Sequence, residues 1–463
     1  MNFKTNFQAI ENDLSEVIRS FSEFDDNAEI THSFLQQDGK IYNTISINGK
    51  VFEYVDVDPS INSFEDIEKL RLIKRDIKLA MYKAMVEFTH SSHAWGSLMG
   101  IRPVKLYKSL IEREKLDAFK YFLDYYLVSE EKTKLVDSVY NFQKPYFATE
   151  NKPLNLYIGI PFCVSRCYYC SFISADLRAT KQELVEEYCD ALIQDIKNAK
   201  DVIKKYGYNL RNVYMGGGTP TALNEKQLAK VLDVCDFDVP EFTIEAGRPD
   251  TITKEKLDTI SKYANRISVN PQTLNDETLK KIGRNHSIDD FYRIYDLASK
   301  YDFEINCDLI AGLMDEKVED FDKSISGIIA LNPENITTHT LALKAGSKLR
   351  ESVDKNINDE ITGMLKIGYE RLKTANYVPY YLYRQKYMAG NLENTGFCKT
   401  TPCVYNIDIM EENTSNIACG SYGISKRFYP LENRIERFAH PKDVRTYIDK
   451  LSQNLIKREE LLR

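Results

Sequence analysis

Between residues 154 and 344 the chain alternates short, apolar, strand-like segments with longer segments of helical periodicity. Strand–helix units of this length require right-handed crossovers between parallel strands. Six such strands predict an α/β fold built on a partial parallel (β/α)6-type barrel, with its functional loops at the carboxyl ends of the strands. The six predicted strands are Leu154–Ile160, Asn212–Met215, Glu241–Glu245, Arg266–Val269, Glu304–Ile310 and Asn335–Leu341.

Two regions flank this core, which we place at residues 151–344. Residues 1–150 are predicted to form an α+β accessory domain, because alternating apolar and polar residues surround the turn sequence Asn48-Gly49 and a helical spacing of apolar residues follows. Residues 345–463 are predicted to form a mostly helical region that covers the substrate.

Helix starts can be placed at two points of the core. Thr180-x-x-Glu183 has the form of a capping box before a long helical segment. Ser287, followed by Asp289 and Asp290, predicts a second helix start.

Three cysteines follow the first predicted strand directly. Cys163, Cys167 and Cys170 form a C-x3-C-x2-C pattern, which we call the cysteine triplet. A structural zinc ion or an ordinary four-iron cluster uses four protein ligands, and no Cys or His lies between Cys170 and Cys189. Half of a zinc site and three buried thiols are the alternatives. The spacing favours a [4Fe-4S] cluster with one iron left open for a small molecule.

A glycine segment follows the second predicted strand, in the sequence Met215-Gly-Gly-Gly-Thr-Pro-Thr221. Glycines remove side chains where a ligand approaches the backbone, and consecutive amides at a strand end can bind a charged ligand. The alternative is a tight turn that needs glycine for its own conformation.

Polar side chains stand at the ends of the later strands. They are Glu245, Gln272, Arg284, His286 and Asp308. A single acid or arginine is usually solvated, but several at one level of a barrel indicate a site.

Charge and cysteine usage narrow the functional classes. The formal net charge of −7 argues against nucleic acid as a partner. Nine cysteines, three of them clustered, do not form a disulfide framework. Cys398, Cys403 and Cys419 lack a ligand spacing and are interpreted as buried or incidental thiols. No apolar run is long enough for a membrane span and no leader-like segment opens the chain, so a cytoplasmic location is expected.

Together, these motifs resemble the radical SAM superfamily and, within it, the HemZ-type branch of the oxygen-independent coproporphyrinogen III dehydrogenase family. The superfamily and family motifs are Tyr157-Ile-Gly-Ile-Pro-Phe-Cys163, Cys167-Tyr-Tyr-Cys170, Gly216-Gly-Gly-Thr-Pro-Thr221, Ile282-Gly-Arg-Asn-His-Ser287 and Asp308-Leu-Ile-x-Gly-Leu313. The branch motifs are Trp95-Gly-x-Leu-Met-Gly-Ile-Arg-Pro-Val-Lys105, Glu245-Ala-Gly-Arg-Pro-Asp-Thr251 and the tyrosine-rich segment from Tyr380 to Asn391.

The resemblance implies roles for individual residues. It implies that the cysteine triplet ligates the cluster and that S-adenosylmethionine (SAM), in one or two copies, binds beside it. Tyr157 and Tyr169 are expected near the cofactor, and Gly217, Gly218 and Thr219 at its amino end. Glu245 is expected to meet its ribose or a second cofactor. Gln272, Arg284, Asp308 and Ala342 match cofactor-contacting positions, although Arg284 in this position can instead face a substrate propionate.

The implied reaction is the oxidative decarboxylation of coproporphyrinogen III to protoporphyrinogen IX, with a flavodoxin or ferredoxin as electron donor. The implied substrate is therefore a tetrapyrrole. One position departs from the dehydrogenases, which carry a further Cys two residues after the third ligand, where this chain has Phe172. Related heme chaperones share that phenylalanine. A heme-binding chaperone and a radical SAM enzyme for another tetrapyrrole are the alternatives.

Overall fold

The computed structural model describes residues 2–21, 27–59, 66–99, 102–170, 175–342, 357–384 and 391–463. These residues divide into two compact units. The first comprises Met1–Asp137 with Gly390–Leu392, and the second comprises Ser138–Ala389 with Glu393–Arg463. The boundary between the units thus falls earlier than residue 150, and a further division at residue 344 stays a prediction. No helix in the described ranges combines the length and apolar character needed to cross a membrane.

The first unit has α+β architecture, as predicted. Its strands are β1 (Asn2–Thr5), β2 (Glu29–Gln37), β3 (Lys40–Ile47) and β4 (Lys50–Val57). The sheet has the order β1-β2-β3-β4, with β1 parallel to β2 and the other pairs antiparallel. Asn48 and Gly49 both have positive φ and form the two-residue turn between β3 and β4. The helices that begin in this unit are α1 (Glu11–Arg19), α2 (Asp66–Thr89), α3 (Pro103–Glu112), α4 (Ala118–Asp124) and α5 (Glu130–Gln143).

Six parallel strands form the centre of the second unit, in the order of the chain and at the predicted positions. They are β5 (Pro153–Ile160), β8 (Asn209–Gly217), β9 (Glu241–Ile244), β10 (Arg266–Ser268), β11 (Glu304–Ala311) and β12 (Asn335–Thr340). Every residue of β9 and β10 is buried, as expected for a parallel sheet covered on both faces. The mixed α/β class and the partial barrel are therefore confirmed.

Helices follow the strands of this sheet. They are α6 (Gln182–Tyr206), α7 (Glu225–Leu232), α8 (Lys254–Ile260), α9 (Asp276–Lys281), α10 (Ile288–Ala298) and α11 (Val318–Leu331). Ser287 caps α10, as predicted, and it also forms a capping box with Asp290. The predicted capping box at Thr180 does not form, because the Thr180 hydroxyl donates to the carbonyl of Asp176 at 2.8 Å and α6 begins at Gln182.

The C-terminal region extends the sheet on both sides. Helices account for more of its residues than strands do, yet five strands join the barrel sheet, and the prediction did not include these strands. They are β13 (Val378–Tyr383) and β14 (Asn394–Cys398) beside β12, and β15 (Ser415–Cys419), β16 (Ile424–Tyr429) and β17 (Arg434–Ala439) beside β5. The helices are α12 (Ile357–Thr374), α13 (Val404–Glu411), α14 (Val444–Asp449) and α15 (Leu451–Leu462). Strand β15 pairs with β5 in parallel, so the strand that leads into the cysteine triplet has neighbours on both sides.

A buried ion pair fastens this C-terminal extension to the barrel. Arg458 on α15 donates to Asp195 on α6, and both side chains are fully buried. The Asp195 carboxylate also accepts from the Tyr447 hydroxyl at 2.6 Å and from the backbone N–H of Gly420 at 2.9 Å. The end of β15 is thereby fixed to helices that lie on either side of it in sequence.

Candidate cofactor site

The glycine segment lies against the strand that precedes the cysteine triplet. The N–H groups of Gly218 and Thr219 donate to the carbonyls of Ile160 and Phe162 at 2.7 and 2.8 Å. A Cβ on Gly218 would stand 2.4 Å from the Phe162 carbonyl oxygen, so only glycine permits this approach. Gly217 has a φ of +113°, which also favours glycine. The segment therefore needs glycine for its own packing. It also lies at the end of β8, a position suited to ligand binding.

The cysteine loop, residues 163–170, is held at several points. Cys163 lies in the short strand β6 (Phe162–Cys163), which pairs with β7 (Ala175–Asp176). The N–H of Tyr168 donates to the carbonyl of Ile282 at 3.0 Å, which attaches the loop to the segment after α9. Two of the predicted motifs therefore meet in the fold.

The thiols of the triplet differ in exposure. Cys167 is buried, whereas Cys163 and Cys170 are partly exposed. The Sγ of Cys163 lies 3.6 Å from the Thr219 hydroxyl, next to the glycine segment. Within the described ranges no group of three or more Cys, His, Asp or Glu side chains is arranged to hold a metal ion. The ligand role of the triplet consequently stays a prediction from its spacing. Phe172 lies outside the described residues.

Arg284 and Tyr169, both expected at the cofactor, contact each other. Nη2 of Arg284 donates to the Tyr169 hydroxyl at 2.9 Å, and Nη1 donates to the carbonyl of Gly247 at 2.9 Å. Burial and the Arg284 charge together leave the pKa of His286, two residues later, lowered to about 4. His286 is therefore neutral at pH 7, and neither ring nitrogen has a hydrogen-bond partner in the part of the chain described.

Arg248 is a neighbour of the triplet that the motif analysis did not single out. Its Nη1 donates to the Sγ of Cys167 at 3.4 Å and to the carbonyl of Ser165 at 3.2 Å. The other side of its guanidinium binds the Asp250 carboxylate at 3.0 and 2.8 Å. The sequence does contain a signal for it, since Arg248 and Asp250 lie inside the HemZ-type branch motif Glu245-Ala-Gly-Arg-Pro-Asp-Thr251.

Two of the predicted site residues, Glu245 directly after β9 and Asp308 within β11, are carboxylates close enough to influence each other. Burial, followed by the charge of Asp308, raises the pKa of Glu245 to about 7. Burial also acts against ionisation of Asp308, but hydrogen bonds from His339 and Asn306 outweigh it and lower the pKa of Asp308. Asn270 Nδ2 donates to the same carboxylate at 2.8 Å. At pH 7 Asp308 is therefore ionised, whereas Glu245 is present in both its protonated and its ionised form.

Gln272 has an unusual conformation and an unused acceptor. Its φ is +72°, and its backbone bridges to β11 through hydrogen bonds of 3.0 and 2.9 Å with Asp308 and Ile310. Its side-chain Oε1 is buried without a hydrogen-bond partner among the described residues. An unsatisfied buried acceptor at a strand end fits a site that receives a donor from a ligand.

The remaining predicted residues lie at the same sheet. Tyr157 on β5 stacks on Tyr214 with ring centroids 6.4 Å apart, and a Cβ on Gly217 would stand 3.2 Å from the Tyr157 hydroxyl. Ala342 follows β12, next to Leu341, whose N–H donates to Ala311 at the end of β11. Gly218, Glu245 and Ala342 thus lie just after the ends of their strands, whereas Tyr157 and Asp308 lie within β5 and β11.

The three C-terminal cysteines have other environments. Cys398 and Cys403 share an aromatic cluster with Tyr380 and Tyr405. Cys419 accepts a hydrogen bond from Arg458 at 3.3 Å. Burial raises the pKa of each of the three thiols above its usual range, which suits a packing role.

Comparison with known proteins agrees with this geometry. A family model described as the radical SAM superfamily matches residues 157–326. The chain is 34% identical over 397 residues to the oxygen-independent coproporphyrinogen-III oxidase-like protein HemZ of Bacillus subtilis, which covers 82% of this chain and 79% of that protein.

Two further comparisons cover less of the chain. It is 35% identical to the heme chaperone HemW of Bacillus subtilis over 41% of this chain and 50% of that protein. Among solved structures, the radical SAM enzyme coproporphyrinogen III oxidase (HemN) of Escherichia coli has the same fold. The TM-score is 0.52 at 21% identity, with 68% of this chain and 73% of that chain covered.

Proposed function

The chain belongs to the radical SAM superfamily and, within it, to the HemZ-type oxygen-independent coproporphyrinogen III oxidase family, and we propose that it converts coproporphyrinogen III propionates to vinyl groups. The observation that carries this proposal is the similarity to the oxidase-like protein HemZ over 82% of the chain. In the proposed reaction each reacting propionate loses a hydrogen atom, carbon dioxide and one further electron, and the product is protoporphyrinogen IX.

Membership in the superfamily implies a [4Fe-4S] cluster and SAM. We propose that Cys163, Cys167 and Cys170 ligate the cluster. When bound, the two groups supply one-electron chemistry that removes a hydrogen atom from an unactivated carbon. The protein's own contribution is to position the reactants and to exclude water from them.

The SAM site in this proposal is the row of strand ends beside the triplet. The unsatisfied Oε1 of Gln272 supports it, because a bound ligand can supply the missing donor. Gly217 and Gly218, which are partly exposed, and the buried Thr219 are proposed to receive the amino end of SAM. Glu245, with a pKa of about 7, accepts or donates a hydrogen bond according to its protonation. Tyr157, Asp308 and Ala342 complete this proposed site, for one SAM or two.

Arg284 and Tyr169 have a supporting role in this proposal. The Arg284 guanidinium donates to the backbone of Gly247 and to the Tyr169 hydroxyl. These bonds join the cysteine loop to the segment after Glu245. Arg284 therefore fixes the position of the loop, and we propose this role in preference to contact with a propionate.

The experiment that tests the proposal uses the full-length chain, anaerobically reconstituted with iron and sulfide and reduced with dithionite. Incubation with SAM, coproporphyrinogen III and an added one-electron acceptor should yield methionine and a product lighter by two carboxyl groups and the two lost hydrogens. Cys163→Ala should abolish both products, while Cys189→Ala, a buried cysteine on α6 outside the triplet, should retain them. SAM cleavage without vinyl product would contradict the proposal.

A second candidate function is heme carriage, favoured by the 35% identity to HemW and by Phe172. Stoichiometric heme binding, with transfer to an apo-hemoprotein and no vinyl product, would establish it. A new mass obtained from heme rather than from coproporphyrinogen would instead indicate a radical SAM enzyme for another tetrapyrrole. In each case we propose a cytoplasmic protein, reduced by a flavodoxin or ferredoxin.

A further inference from the structure

Arg248 places a buried cation directly against one sulfur of the cysteine triplet. Its side chain is only 3% exposed. The Nη1 group divides its hydrogen bonds between the Sγ of Cys167 at 3.4 Å and the carbonyl of Ser165 at 3.2 Å. The donor therefore holds both the backbone of the cysteine loop and the sulfur itself.

Asp250 fixes the orientation of this guanidinium. It accepts from Nε and Nη2 of Arg248 at 3.0 and 2.8 Å, in a two-point arrangement that leaves Nη1 directed at the loop. The positive end of this pair faces the sulfur and the negative end lies away from it. An arginine locked in this way loses little side-chain freedom when it donates to a thiolate.

A second cation, Arg284, contacts the same loop through the Tyr169 hydroxyl. Arg284 donates to the carbonyl of Gly247 and to the Tyr169 hydroxyl, and it makes no hydrogen bond to a carboxylate among the described residues. Asp250 pairs with Arg248 and also acts electrostatically on Arg284, while the nearby Asp176 is paired with Arg178. The surroundings of the loop consequently carry an excess of positive charge.

This charge matters for electron transfer. A four-iron cluster on three thiolates is anionic, and reduction adds a further negative charge. Hydrogen bonds to the sulfurs and nearby positive charge stabilise the reduced form and raise the reduction potential. The effect is large when the charge is buried, because little solvent screens it.

We propose that Arg248 is a positioning residue that sets the reduction potential of the cluster through Cys167, with Asp250 as its opposing charge. This inference rests on the proposed ligation of the cluster by the triplet. It assigns a function to the Gly-Arg-Pro-Asp segment beyond that of shaping a loop.

The test is a redox titration of the reconstituted full-length protein, in which the electron paramagnetic resonance signal of the reduced cluster is followed without substrate. In Arg248→Gln the partly exposed Asp250 carboxylate remains and the buried cation is lost. We expect the equilibrium constant for reduction to fall at least about tenfold, a midpoint lower by about 59 mV for one electron. In Asp250→Asn the opposing charge is lost, so the midpoint should rise.

Two further variants separate charge from structure. Arg248→Lys keeps the cation and should lie between the wild type and Arg248→Gln. Arg371→Gln removes an arginine of α12 that is 50% exposed and paired with Asp322 on α11, and it should leave the midpoint unchanged.

Each possible result of the titrations either supports the role of Arg248 or contradicts it. Shifts of opposite sign in Arg248→Gln and Asp250→Asn support the inference, because a purely structural defect has no reason to reverse sign. Fully loaded variants with the wild-type midpoint overturn it, even if coproporphyrinogen is converted. If Arg248→Gln fails to keep its cluster, the direction of the Asp250→Asn shift decides. A wild-type protein that holds no cluster overturns both this inference and the proposed function.

Discussion

Gly216 and Glu245 are packed so closely that a Cβ on Gly216 would stand 2.6 Å from the Glu245 Oε2 atom. The same Cβ would lie 2.7 Å from Cε1 of Tyr214. Only a hydrogen atom of Gly216 therefore separates the backbone of β8 from the Glu245 carboxylate at the end of β9.

Gly216→Ala should displace Glu245 or Tyr214. We expect the free energy of unfolding to fall by about 1–3 kcal/mol, as in other overpacked sites, and SAM affinity to fall about tenfold. Chemical denaturation and titration calorimetry measure the two quantities. Gly207→Ala is the control: it has a φ of +66° but nothing within 4 Å, so it should lose roughly 1–2 kcal/mol of stability and keep its SAM affinity. Equal SAM affinity in both variants would contradict the prediction.

Glu245→Gln should stabilise the cofactor-free protein at high pH. The folded-state pKa of Glu245 is about 7, against an ordinary value of 4.5, so the folded protein binds the extra proton between these values. The wild type therefore loses stability as pH rises through this window. The variant should gain little at pH 4.5 and on the order of 3 kcal/mol, as an upper limit, above pH 8. Urea denaturation of both proteins across this range is the measurement. A gain that does not vary with pH would show that Glu245 does not titrate as described.

Gln272→Met should change stability and SAM affinity in opposite directions. The substitution keeps the side-chain length but removes an Oε1 acceptor that lacks a partner. We expect the cofactor-free protein to gain about 1 kcal/mol, because an unsatisfied buried group is removed. SAM binding should weaken about tenfold, the loss of one hydrogen bond. Unchanged binding would remove Gln272 from the site.

Asp195→Ala should destabilise the protein strongly. It leaves the fully buried Arg458 without its carboxylate, and such a break costs about 3–5 kcal/mol. Lys300→Ala, which breaks an exposed pair with Asp296 on the surface of α10, should cost no more than about 0.5 kcal/mol. Thermal and urea unfolding compare the two. A similar small loss in both variants would mean that the buried network does not fasten α15 to the barrel.

The six barrel strands could be predicted because each is a compact apolar run followed by a helical segment, and the parallel order then follows from chain connectivity. The hairpin turn at Asn48 and Gly49 could also be predicted from a local signal, since only a few residue types accept positive φ at both positions. Strand β15 carried no such signal. It pairs with β5 across more than 250 residues of chain, and a distant pairing leaves no local pattern.

The candidate site also combines features that the sequence predicts with a contact that it does not predict. The strand-end pattern predicted Glu245, Gln272 and Asp308 at one edge of the sheet, because parallel strands end together. The contact between Arg248 and Cys167 could not be read in this way, since it joins a loop after β9 to a loop after β5. Thr180 was predicted wrongly. Its sequence context fits a helix cap, but its hydroxyl donates to the Asp176 carbonyl instead.

The pairing of β15 with β5 has a consequence for biosynthesis. The ribosome completes β5 and the cysteine loop by residue 170, but the partner strand ends at Cys419. At about 5–20 residues per second, roughly 12–50 seconds separate the two events. During that interval one edge of the cysteine-bearing strand has no partner. We expect iron–sulfur loading factors, and any chaperone that shields an open edge, to have access to the nascent chain for this time.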